Sequence, residues 1–104
     1  MAITTAMCNS FKQELLGGVH DLDTDTIKIA LIKNSQSGTY NASTANYSAV
    51  TGNSDEATGT NYVTGGNTLG SATIALSGST ATVYFADTTW SSATVSADGC
   101  IIYN

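Results

Sequence analysis

Apolar side chains recur along this chain with two different periods, and the switch between them predicts its layout. Met7, Cys8, Phe11 and Leu15 recur at helical spacing, with Lys12, Gln13 and Glu14 mostly off that stripe. Thr4 or Thr5 can cap the start, because a hydroxyl accepts a hydrogen bond from a backbone N–H that the first turn leaves unpaired. Gly17-Gly18 stops the helix, since glycine takes the left-handed cap conformation without penalty. About three turns of helix are marginal alone in water, so this one must pack on something. After the acidic link at 21–25 the period becomes two. Residues 26–33 read as the clearest strand, with Ile27, Ile29 and Leu31 on the face expected in the core. Lys28, Ala30 and Ile32 form the other face. The small Ala30 and the apolar Ile32 imply that it too is covered, and a partner is the expected cover.

Residues 34–59 are Asn-, Ser-, Thr- and Gly-rich, with Tyr40 and Tyr47 spaced apart and only a short strand expected at 47–50. A stretch this long without regular structure is uncommon inside a compact domain. It is expected to be an extended loop that reaches a neighbour. Alternation resumes at 68–77, with Ile74 and Leu76 on one face. Ser77-Gly78-Ser79-Thr80 has Gly at the first central position of a type II′ hairpin turn. The return strand, 81–86, puts Val83 and Phe85 on one face and Tyr84 on the other. A further strand or bend at 93–97 and a closing strand at 99–103 complete the pattern. The fold class this predicts is mainly β: a single small antiparallel β-sandwich with one N-terminal α-helix, spanning 1–104 as one domain.

Composition narrows the function classes. Charged residues make up 11% of the chain, against roughly 25% in ordinary soluble domains. Serine and threonine fill the difference at 29 of 104 residues, and threonine suits a pleated, half-buried surface. The net charge is −5, with three lysines and no arginine. Nucleic-acid binding needs cations to displace phosphate counterions, and anionic membranes also select basic surfaces. Neither partner is expected. Residues 1–18 lack a positive start and a long apolar run, so no signal peptide is expected, and Cys8 and Cys100 are expected to be reduced.

Candidate chemistry is sparse. Asp21, Asp23 and Asp25 alternate as the opening of a calcium loop does, but Thr26 and Ile32 stand where that loop needs Gly and a bidentate Glu. A solvated turn is the stronger reading, with these three aspartates a weak cation site at most. His20 is the single histidine and has no nucleophile motif beside it. Asp55-Glu56 is an adjacent acid pair, read as capping a loop. No cofactor and no catalytic residue are expected. Ile32, Tyr40, Tyr47, Tyr84 and Trp90 are the candidates for an interface, on the ground that apolar and aromatic anchors favour such places.

Four segments together carry a resemblance: 2–32 (AITTAMCNSFKQELLGGVHDLDTDTIKIALI), 59–69 (GTNYVTGGNTL), 87–90 (DTTW) and 99–104 (GCIIYN). They resemble small structural proteins of tailed bacteriophages. The resemblance implies a non-enzymatic virion component assembled in the host cytoplasm. It is most similar to capsid decoration, or cement, proteins, which bind the outside of the shell and stabilise it. Its implied partners are the major capsid protein and copies of itself, as a trimer or dimer. A phage tail or neck component is the alternative within the family. A carbohydrate- or cation-dependent binding module, motivated by Tyr40, Tyr47, Trp90 and the aspartate turn, is the alternative from another class.

Overall fold

A computed structural model describes residues 3–104. Helix α1 (Asn9–Leu16) is followed by strand β1 (Ile27–Lys33), the short helix α2 (Ser48–Gly52) and strands β2 (Gly59–Thr60) and β3 (Asn67–Leu69). Strands β4 (Thr73–Ser77), β5 (Thr80–Tyr84), β6 (Thr94–Val95) and β7 (Ala97–Tyr103) complete the chain. Every pairing between these strands is antiparallel. The main sheet has the order β3-β1-β7, and two-stranded sheets form from β2 with β6 and from β4 with β5. The architecture is mainly β and sandwich-like, with one N-terminal helix, as the alternating pattern predicts.

Strand β1 is the organising element because both of its edges are occupied. Its even-numbered residues turn their backbone groups toward β7. Ala30 pairs with Ile101 and Ile32 with Gly99. On the other edge β3 pairs from Ile27 to Ile29. Beyond Ile29 the ladder continues with other donors and acceptors. Leu31 N–H donates to the Tyr62 hydroxyl at 2.9 Å, and Ala57 N–H donates to the Leu31 carbonyl at 2.9 Å. Lys33 N–H donates to the Asp55 carbonyl at 2.8 Å.

Both faces of β1 contribute to the core: Ile27, on the face expected there, is 2% exposed, and the second face is covered as well, more deeply than the rest of the first. Ala30 and Ile32 are fully buried, while Ile29 and Leu31 are only half-buried. The cover comes from the chain itself. Ile32 packs with Tyr40 and Val50, and Ile3, Ala49 and Ile101 close around them. The segment 34–59 therefore does not reach outward. It folds back onto β1 and supplies Tyr40, Val50, Asp55 and Ala57, all buried. Residues 48–52 within it are helical where a short strand was expected. Ile32 and Tyr40 are core residues and are corrected as interface candidates, because Ile32 is 1% and Tyr40 5% exposed within a single chain.

The run 68–77 is two strands, not one. Ser71 takes a positive φ of 55° between β3 and β4, and the chain leaves the β1 sheet there to pair with β5. The tight turn from β4 to β5 is as the sequence predicts, with Gly78 at φ 60°.

Candidate functional site

The acidic link 21–25 uses its carboxylates on its own backbone. Asp21 Oδ1 accepts from the N–H groups of Asp23 (3.1 Å) and Thr24 (3.3 Å), and Asp25 Oδ2 accepts from Asp21 N–H (2.9 Å) and the Asn104 amide (2.7 Å). These bonds hold the Asp25 carboxyl below its ordinary range, the backbone bond first and the Asn104 bond second. Among the described residues, no three His, Cys, Asp or Glu side chains converge on a metal-sized site. Asp21 and Asp25 thus serve as acceptors within the turn, while Asp23 contributes its backbone N–H.

His20 belongs to the same corner. Its Nε2 lies 3.2 Å from Glu14 Oε1, and its Nδ1 lies 3.0 Å from the Asn104 amide nitrogen. The Asn104 amide is a donor, so this geometry assigns the neutral-imidazole proton to Nε2, which donates to Glu14. Phe11 lies against the ring, with centroids 5.1 Å apart. The imidazole thus ties the end of α1 to the C-terminal residue. Among the described residues its side-chain partners are Glu14 and Asn104, so it has the geometry of a clasp.

Asp55 and Glu56, adjacent in sequence, point into two separate networks. Asp55 is fully buried. Its Oδ1 accepts from Ser37 N–H at 2.9 Å and Ser37 Oγ at 3.0 Å, and its Oδ2 accepts from Gly38 N–H at 2.8 Å and the Tyr40 hydroxyl. Lys33 Nζ stands 3.8 Å away. The hydrogen bonds from Tyr40, Ser37 and Gly38 outweigh the cost of burial and hold this carboxyl far below its usual range. Glu56 instead accepts from the hydroxyls of Tyr47 and Tyr62 and from Gly65 N–H at 2.7 Å. Tyr47 stacks on Tyr103, centroids 4.3 Å apart and 4° from parallel, and Tyr103 donates to the Gly65 carbonyl at 2.6 Å. Three donors occupy this carboxylate, so it is a structural hub for the loops beside β1.

Burial first, and the neighbouring carboxylate second, raises Tyr40, Tyr47, Tyr62 and Tyr103 above the ordinary phenol value. In an unfolded chain tyrosine ionises near about pH 10. A folded-state value above that adds stability that is complete below about pH 10 and is lost as pH rises through the folded values. Ultraviolet titration should therefore show these four phenols ionising late, together with loss of the circular dichroism of the fold. If all five tyrosines ionised near about pH 10 with the fold retained, these networks would not hold in solution.

The remaining feature is an open cleft of about 1280 Å³. One wall is the apolar stripe of the helical segment (Met7, Phe11, Leu15), another is the face of the β4–β5 hairpin bearing Ile74 and Val83, and the floor is β7. These elements leave much of their apolar surface open, although Ile101 of β7 packs on the core. Helix α1 contains no buried residue, and Met7, Ile74, Leu76 and Ile102 are each more than half exposed. Of the other interface candidates, Tyr84 is 63% exposed on the polar side of the hairpin. Tyr47 is half-buried and engaged by Glu56 and Tyr103. Trp90 is half-buried against Tyr62, with ring centroids 5.7 Å apart. The apolar stripe and the alternation of the hairpin were legible signals for this surface, but each equally marks an ordinary core face. The chain matches no protein-family model, no curated protein and no solved structure.

Proposed function

We propose that this protein is a structural subunit of a tailed-phage virion, of the cement type, which binds the outside of the capsid shell and stabilises it. One observation carries the assembly part of this reading: a charge-poor apolar surface that the single chain leaves uncovered, on α1, the hairpin and β7. Apolar patches larger than a few hundred Å² mark places where another molecule docks. The hairpin with its flanks, 70–86, contains no charged residue, which suits the desolvated centre of an interface. The buried Asp55 and the half-buried Glu56 are spent on loop structure, which supports a role in assembly over catalysis. The virion part rests on the resemblance of 2–32, 59–69, 87–90 and 99–104. Tyr40 and Tyr47, the aromatic candidates for stacking on a sugar, are engaged internally and give the binding-module alternative no support.

The test is co-sedimentation with purified capsids that lack the protein, followed by cryo-EM of the decorated particles. Extra density on the outer shell and capsids that resist higher temperature are the expected results. Density confined to the tail or neck would replace the cement reading with the tail alternative, and absence from purified virions would overturn both.

A further inference from the structure

We infer that the free edge of β7 is a self-association surface, and that its occupant is the β7 edge of a second copy of this chain, paired antiparallel about Ile101. What it adds is the place and register of self-association, and it rests on the backbone geometry rather than on the shell reading. The backbone accounting comes first. In β1, Leu31 spends its N–H and carbonyl on Tyr62 and Ala57, on the side away from β7. Backbone direction alternates along a strand, so Lys28, Ala30 and Ile32 bond to Tyr103, Ile101 and Gly99. Cys100 and Ile102 therefore turn their N–H and carbonyl groups outward, and among the described residues no partner is present for them.

Natural edges of this kind are blunted by proline, lysine or a covering element. Here the strand reads ADGCIIY, with no proline, no lysine and one acid at its far end. A two-fold axis at Ile101 places Cys100 opposite Ile102 of the second copy, in both directions, so all four exposed groups on each copy pair. The same register sets Asp98 opposite Asn104, so the single acid of the strand meets an amide and not an apolar group. Shifting the axis to Cys100 would set Asp98 against Ile102.

The area fits one copy. The chain exposes 6498 Å², whereas a folded monomer of 10.6 kDa exposes roughly 5,500 Å². The excess, roughly 1,000 Å², is close to the ~800 Å² that each partner contributes to an interface of standard size. A chain of net charge −5 meets its own copy with least repulsion on a charge-poor surface, and the hairpin, with no charge, and β7, with Asp98 alone, form one. Pairing joins two three-stranded sheets into one of six strands, with the open clefts meeting at the seam.

Sedimentation velocity on the full chain should show a dimer that dissociates on dilution. Ile102→Lys alters a side chain that is already 56% exposed, so the fold should survive, as circular dichroism can check. By symmetry the lysine enters the seam twice, which should weaken association by roughly tenfold or more. Leu16→Lys, at a residue 92% exposed and outside the cleft, should leave the dimer intact. Hydrogen exchange should find the Cys100 and Ile102 amides protected at high concentration and fast on dilution. A chain monomeric at all concentrations overturns the inference. So does a dimer that Ile102→Lys leaves unchanged, or one whose Cys100 and Ile102 amides stay unprotected.

Discussion

Replacing Asp55 with alanine should lower the melting temperature of this protein by roughly 10–20 °C. The carboxylate is fully buried and accepts two backbone N–H groups, one serine hydroxyl and one phenol. Alanine leaves those donors buried without an acceptor, which is the costly direction in which to break a hydrogen bond. It also frees the segment 34–59 from β1, since Ser37, Gly38 and Tyr40 are held to the strand side through this residue. Tyr40 would then loosen from Ile32 and Val50, the three residues at the centre of the core. Asp55→Asn keeps the size but brings an amide donor into a ring of donors, so it should be damaging as well. Asp23→Asn, on the exposed acidic turn, is the control and should leave the melting temperature unchanged.

The acid side of the stability profile follows from the same residue. Its folded-state carboxyl lies below the ordinary value, so the stabilisation is fully present above about pH 4 and is lost as pH falls from there toward the folded value. Asp55→Asn should flatten that acid limb, besides lowering the whole profile. An acid limb of unchanged steepness in Asp55→Asn would mean that some other carboxylate carries the acid sensitivity.

Asp55 also shows why part of this fold could be read from sequence and part could not. Elements set by neighbours in the chain are legible. Examples are the stop of α1 at Gly17, the alternation of β1, and the turn at Gly78 with φ 60°. The more deeply buried face of β1 depends on what comes back to cover it. Alternation marks Ile29 and Leu31 as strongly as Ala30 and Ile32, and the choice between them is made by Tyr40 and Val50. Tyr40 is returned by hydrogen bonds to Asp55 from Ser37, Gly38 and its own hydroxyl, which span 15 to 18 positions. Nothing near Asp55 in sequence distinguishes an acid that gathers distant donors from one that caps its own loop. The surface cleft is hidden for a related reason. The stripe of Met7, Phe11 and Leu15 and the hairpin face of Ile74 and Val83 have the pattern of core faces. Only their placement around the outer edge of β7 shows that a single chain leaves them open.

Gly66→Ala should be the most damaging glycine substitution among three that separate conformational freedom from space. Gly66 has φ 79°, and a Cβ there would lie 1.8 Å from the Ile29 carbonyl oxygen and 2.8 Å from Ala30 Cα. Both obstacles are backbone of the central strand, so no side chain can swing away to make room. Either β3 loses its register on Ile27 to Ile29, or β1 is displaced from the core formed with Tyr40 and Val50. The left-handed backbone costs about 1–2 kcal/mol for an L residue. The overlap adds about 1–3 kcal/mol, so a loss of roughly 3 kcal/mol is expected from this one methyl group. Gly78→Ala shares the positive φ but meets nothing within 4 Å, so it should show the conformational cost alone, about 1 kcal/mol. Gly52→Ala, in open space at the end of α2 with no positive φ, should be neutral or stabilise by about 0.5 kcal/mol. Urea unfolding of the three variants at one protein concentration measures the series. An equal loss for Gly66→Ala and Gly78→Ala would mean that the chain can move β3 away from β1 at no cost. The close seat of β3 on the central strand would then be unnecessary to the fold.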